Sequence, residues 1–227
     1  MNKLFALLPL FGLLFIAACE EEDDNNNDDD TTPATANVLV THASPDAPGA
    51  DLLVDSVIVN SSAMTFPNNT GYLEVESGTR NVQVNASGTS NTVINADLDL
   101  MADNNYSVFA IDSLASISAL VLEDDLTAPA AGNAHVRFVH LSPDAPAVDI
   151  TSAGTTLFPN TSFGEATAFS PVPEGTYTID VLLNSTSDTA LTVPDLVLEN
   201  GKIYTVWASG FAGGGTPALG AQVIVNN

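Results

Sequence analysis

The chain has 227 residues, 28 of them acidic against only four Lys and Arg, which gives a formal net charge of −24. That balance repels a phosphate backbone, so it excludes nucleic acid as a partner and equally excludes a basic patch for anionic lipid. A single cysteine, Cys19, excludes an internal disulfide, so a folded part must be held by its core alone.

Met1-Asn2-Lys3 is a short positive start, and Leu4 to Ala18 is apolar apart from Pro9 and Gly12. A membrane-spanning helix needs about 20 apolar residues, so this run is too short and reads instead as a secretory signal over residues 1–18. The "IAAC" that ends it resembles the lipobox of bacterial lipoproteins. The resemblance implies that Cys19 becomes the acylated, palmitate-type membrane anchor. The run "EEEDDNNNDDD" follows, with eight acidic residues between Glu20 and Asp30 and no apolar one. Such a block cannot bury surface, so residues 19–35 are expected to be a disordered acidic tether reaching roughly 20–25 Å. An acidic run directly after a lipidated cysteine also resembles a surface-export signal of outer-membrane lipoproteins. The expected location is therefore the cell envelope, on the surface-exposed or periplasm-facing side of the outer membrane. With eight of the 28 acidic residues in the tether, 20 remain from Thr31 onward against Arg80, Arg137 and Lys202, a net charge near −17.

From residue 36 the chain is written twice. "ANVLVTHASPDAPGADL" (Ala36 to Leu52) returns as "AHVRFVHLSPDAPAVDI" (Ala134 to Ile150), 98 residues on. "FPN" at Phe66 has a counterpart at Phe158, offset 92, and "SGTRNVQV" from Ser77 faces "EGTYTIDV" from Glu174, offset 97. "NYSVFAI" from Asn105 faces "IYTVWAS" from Ile203, again offset 98. Matches in the same order at a domain-sized period mean tandem duplication rather than a solenoid. The expected organisation is repeat 1 over 36–122, a Pro/Gly/Ala linker over 123–133 and repeat 2 over 134–227.

Inside each repeat, "NVLVTH", "TRNVQVNA", "TYTIDVLL" and "YTVWAS" alternate apolar with polar residues, and Gly, Pro, Asn and Ser punctuate them every 8–12 residues. This predicts an all-β chain of two tandem antiparallel β-sandwich domains, immunoglobulin-like in the broad sense but without the Cys-Trp-Cys core. The opening V-x-x-x-H-x-S-P-D-A-P-x-x-D, with the later "EGTY" and "IYTVWA", resembles the domain-of-unknown-function 4397 family of exported bacterial proteins over nearly all of 36–227. Copy 1 departs from it, with "SGTR" in place of "EGTY" and Gly49 where copy 2 has an apolar residue. The resemblance implies a β-sandwich and export, and carries no catalytic residues.

The twice-written decapeptide, "HASPDAPGAD" and "HLSPDAPAVD", admits three readings. As a structural corner, Pro45 and Pro48 preset the backbone, Ser44 or Asp46 takes turn amides, His42 donates to a nearby carbonyl, and Asp51 and Asp149 open the next strand. As a cation site, His42, Asp46 and Asp51, and likewise His140, Asp144 and Asp149, converge on Ca2+ through oxygen donors, although the spacing supplies too few of the six to eight it takes. As a hydrolytic site, His42, Ser44 and Asp46 form a triad, but alternate residues of one extended segment rarely fold back on each other, and no G-x-S-x-G elbow is present. Trp207, aligned with Phe109, reads as core rather than as a sugar-stacking platform. "DSV" at Asp55, "DSL" at Asp112 and "DTA" at Asp188 resemble short O-glycan acceptor patterns. The expected function is a non-enzymatic binding, adhesion or structural role for a lipid-anchored envelope protein with a glycan or protein partner. A Ca2+-dependent adhesion module and an envelope hydrolase are the alternatives.

Overall fold

Sixteen strands and one 3-10 turn make up residues Pro33–Asn227, the part of the chain that this computed structural model describes. The signal segment, Cys19 and the acidic run lie outside the described residues. Repeat 1 contributes β1 (Thr35–His42), β2 (Ala50–Val54), β3 (Val57–Ile58), β4 (Asn69–Glu76), β5 (Gly78–Ala86), β6 (Thr92–Leu100), β7 (Asn105–Ile111) and β8 (Ser118–Glu123). Repeat 2 contributes β9 (Asn133–His140), β10 (Val148–Ser152), β11 (Thr155–Thr161), β12 (Ser170–Pro173), β13 (Gly175–Leu183), β14 (Thr189–Leu198), β15 (Ile203–Ser209) and β16 (Gly220–Val225). Each repeat folds into two sheets, ordered β4-β1-β7-β8 and β3-β2-β5-β6 in the first, β12-β9-β15-β16 and β11-β10-β13-β14 in the second. The all-β class and the two sandwiches are as expected.

The outer sheets follow the period-2 rule. On β5, Val82 and Val84 point into the core while Asn81 and Gln83 face out, and on β13 Ile179 and Val181 do the same. The inner sheets depart from it. Every residue of β15 is buried, as are all but the first of β7. Burial on both faces goes with a second departure, a parallel pair at the centre of each inner sheet. Leu39 of β1 lies beside Ser107 of β7, and Arg137 of β9 beside Thr205 of β15. Parallel pairs occupy doubly covered positions, because long crossovers lay other elements over their faces.

Three apolar clusters explain the covering. One fills sandwich 1 around Val38, Leu52, Val84 and Val108, and a second fills sandwich 2 around Val136, Ile150, Val181 and Val206. The third joins the repeats: Leu39, Phe109 and Ile111 of the first meet Val139, Leu141, Trp207 and Ile224 of the second. Residues Pro33–Asn227 thus form four stacked sheets whose two middle layers are packed on each other.

The paired "FPN" segments are not structural equivalents. His42 N–H donates to the Asn68 carbonyl and His140 N–H to the Glu165 carbonyl, and the Thr70 and Thr167 hydroxyls accept from Val40 N–H and Phe138 N–H. Both correspondences are offset by 97, so Phe66 matches Phe163, and these two pack at the rim of the inter-repeat cluster. Phe158 sits instead inside sandwich 2, opposite Ile150. Three shared letters, one set in a turn and the other inside strand β11, mimic a register.

Candidate functional site

The decapeptide is a crossover that leaves the inner sheet at the end of β1 or β9 and enters the outer sheet at β2 or β10. At each crossover the buried His donates from Nε2 to a carbonyl six residues on, His42 to Pro48 at 3.0 Å and His140 to Pro146 at 3.1 Å. The stiff Pro-containing segment is thereby pinned to the strand it left. Asp46 accepts the Leu114 amide at 2.8 Å, and Asp144 accepts the Ala212 and Gly213 amides at 2.7 and 2.8 Å. Each of these carboxylates therefore staples the crossover to the loop after β7 or β15, the second of which is the "SGFAGGGTP" loop. Asp51 takes the Ser87 hydroxyl and Gly88 amide at 2.9 Å each, whereas Asp149 takes the Asn160 amide at 2.7 Å and the Asn184 side-chain amide at 3.1 Å. Ser142 donates to the Gly210 carbonyl at 2.7 Å, while the Ser44 hydroxyl is buried without a hydrogen-bond partner.

These partners bear on the three readings of the segment. The ligand sets His42, Asp46, Asp51 and His140, Asp144, Asp149 do not converge: each side chain is turned to a different backbone or side-chain group. Among the described residues no three His, Cys, Asp or Glu are grouped so as to hold a metal ion. The triad geometry is not assembled either, because His42 points at a carbonyl and Asp46 at an amide, and neither is hydrogen-bonded to Ser44. What is repeated is a corner whose polar atoms close on the backbone. Of the acceptor-like motifs, Asp55 and Ser56 form the exposed β2–β3 turn at φ 48° and 68°, and Thr189 is exposed at the start of β14.

The profile of the family described as "Domain of unknown function (DUF4397)" matches residues 36–151 and 150–227. The chain belongs to that family. Both corners just described lie within the matched residues. No curated protein matches the sequence. Among solved structures, the chain is similar to the family CBM26 module CBMbc of Eubacterium rectale Amy13K, determined in complex with maltoheptaose. Identity is 9%, coverage 84% of this chain and 96% of that one, and the TM-score 0.24, so no inference about ligand rests on it.

Two stability predictions arise at the DUF4397 corner. Gly210 has φ +75°, and a Cβ there would lie 2.3 Å from the Ala218 carbonyl oxygen. Gly210→Ala is therefore expected to cost at least about 2 kcal/mol, from left-handed strain plus overlap, read as a lower urea midpoint. The corresponding residue of copy 1, Asp112, adopts φ +72°, so Asp112→Gly is expected to be nearly neutral. The second concerns pH. Burial holds His140 below the ordinary imidazole value of 6.5, only partly offset by its bond to the Pro146 carbonyl and by Glu165. With the folded value depressed, the unfolded chain takes up the proton first as pH falls. The contribution is present above 6.5 and is lost as pH falls through the lower folded value. Between about pH 7 and pH 5, wild type should lose more stability than His140→Gln; parallel curves would show that the ring does not titrate against folding.

One concentration of chemistry lay outside the sequence reading. Arg137 and Asp124, 2% and 4% exposed, form an ion pair at 2.6 Å between the repeats. Asp124 also accepts the Tyr72 hydroxyl at 2.5 Å and the Ser107 hydroxyl at 2.6 Å. Arg137 donates to Thr205 at 2.8 Å and Ser107 at 2.9 Å, and its guanidinium lies 4.5 Å from the centre of the Phe169 ring. Asn226 closes the network, accepting from Thr205 at 2.8 Å and donating to Tyr72 at 3.0 Å. Burial and the adjacent Asp124 carboxylate both push the Tyr72 hydroxyl far above its ordinary value, so it stays a donor. The one available signal was Arg137 inside "AHVRFVH", a lone cation with apolar neighbours on both sides.

Proposed function

We propose that this chain is a lipid-anchored envelope protein whose duplicated domains serve a non-catalytic structural or partner-binding role. The observation that carries the reading is the fate of the repeated His and Asp side chains: in both copies they are turned to hydrogen bonds within their own repeat. Groups so engaged hold a fold and are not free to attack or protonate a substrate. The lipobox-like "IAAC" and the acidic run point to an anchor at Cys19 with the two domains held off the membrane on a charged spacer. The strongly acidic surface favours a neutral glycan or a protein partner over any polyanion.

The anchor is tested by labelled palmitate and membrane fractionation. Wild type should incorporate label and sediment with membranes, and Cys19→Ala should do neither; a variant that remains with the membranes defeats the lipoprotein reading. The domain role is tested by thermal unfolding in EDTA and in millimolar Ca2+. Equal midpoints are expected. A cation site filled at a hundredfold over Kd would add about 2.7 kcal/mol. An upward shift abolished by Asp46→Ala with Asp144→Ala would replace the structural reading with a Ca2+-dependent one.

A further inference from the structure

The inter-repeat network is built from corresponding positions of the two copies filled by different residues. In the ladders, Leu39 lies beside Ser107 and Tyr72, and Arg137 occupies the same place beside Thr205 and next to Phe169. Asp124 N–H bonds to the Asn105 carbonyl just past β8, and Asn226 N–H to the Ile203 carbonyl just past β16, so Asp124 corresponds to Asn226. One face therefore presents Leu39, Tyr72, Ser107 and Asp124, and the other presents Arg137, Phe169, Thr205 and Asn226. All eight positions are close in chemistry or size except one pair of charges, a buried anion on face 1 and a buried cation on face 2.

We propose that the Asp124–Arg137 pair makes the two inner faces complementary to one another and not to themselves, so that a repeat 1 face accepts only a repeat 2 face. Two copies of face 1 would set each Asp124 against Leu39, burying two carboxylates with hydroxyl donors but no cation. Two copies of face 2 would set each Arg137 against Asn226, burying two guanidinium groups with no carboxylate. A buried charge stripped of its partner loses on the order of a hundredfold or more in association. The apolar part of the interface carries no such rule, because Leu39, Phe109, Val139 and Trp207 would pack against either face. Burial holds the chain together, and the charges choose the partner. The practical consequence concerns assembly: if chains exchange repeats, repeat 1 of one chain takes repeat 2 of another, in closed pairs or in head-to-tail runs, and like faces do not meet.

The test uses the full chain carrying a protease site within the largely exposed segment Ala128 to Ala131, cleaved after folding. Unlabelled and 15N-labelled nicked proteins are mixed at a urea concentration, below unfolding, at which the labels scramble between partners, and the pairs are identified by native mass spectrometry. Wild type is expected to give mixed-label pairs of repeat 1 with repeat 2 and no like pairs. Arg137→Leu combined with Asp124→Asn, which removes both charges, is expected to add repeat 1–repeat 1 and repeat 2–repeat 2 pairs. Like pairs from the wild type would overturn the proposal. So would a double variant as exclusive as the wild type, or nicked halves that separate without pairing.

Discussion

Arg137→Leu should be among the most damaging single substitutions in the described chain, lowering stability by about 3–5 kcal/mol although it replaces a polar residue by an apolar one in an apolar setting. The leucine itself fits the place, since Leu39 occupies the corresponding position of copy 1. The loss comes from Asp124, which keeps the Tyr72 and Ser107 hydroxyls but is left buried without its cation. Asp124→Asn should be costly for the converse reason, because the guanidinium then has only neutral oxygens and the Phe169 ring around it and no counter-charge. The two together should cost much less than their sum. The double variant removes both charges, and neutral groups of similar volume are often as stable in place of a buried pair. A double-mutant cycle on urea unfolding checks this, with a coupling of about 3 kcal/mol expected, the upper end for residues in contact. Additive losses would mean that the ion pair contributes nothing as a pair. Because both middle sheets bury their second face only against each other, the two repeats should also unfold in one transition in the wild type. The single variants are where a split transition should first be seen.

Much of this architecture was legible because it is local or repeated. The duplication, the strands and the crossover corner each leave a mark within ten residues: alternation on β5 and β13, Pro45 and Pro48 in the turn, and a carboxylate at the right remove to meet an amide. The signal weakened where neighbours in space decide the outcome. β1 was read as alternating, yet Leu39 and Thr41 on its second face are as buried as Val38 and Val40, because another sheet covers them. The parallel pairing of β1 with β7 is set by a crossover of more than sixty residues, and no local pattern announces it. The decapeptide looked like chemistry because His, Ser and Asp are the residues of active sites. They are also side chains able to close a hydrogen bond onto a nearby backbone, and the partners of His42 and Asp46 show that use here. Arg137 was the hardest to read. A cation in a strand normally marks the solvent face, and here its counterion comes from a segment that read as linker.

Trp207→Ala tests the apolar half of the same interface, and should cost about 3–5 kcal/mol, or roughly 6–20 °C in Tm for a chain of this size. Trp207 is fully buried, and its ring stands edge-on to Phe66 at 6.2 Å and near edge-on to Phe109 at 6.3 Å, both belonging to the other repeat. The cavity would therefore open between the sandwiches and not within either. Trp207→Phe should lose far less. It installs the residue found at the corresponding position of copy 1, keeps an edge-to-face partner for Phe66, and removes an indole N–H that is buried without an acceptor. Since this is the only tryptophan in the chain, its emission in the wild type reports the interface directly. Under urea, that signal and far-ultraviolet circular dichroism should change together. If the fluorescence shifts at lower urea than the strands are lost, the repeats separate before they unfold, and sandwich cores 1 and 2 are then the independent units of stability. Coincident curves mean that the middle layers of the stack unfold only with the whole.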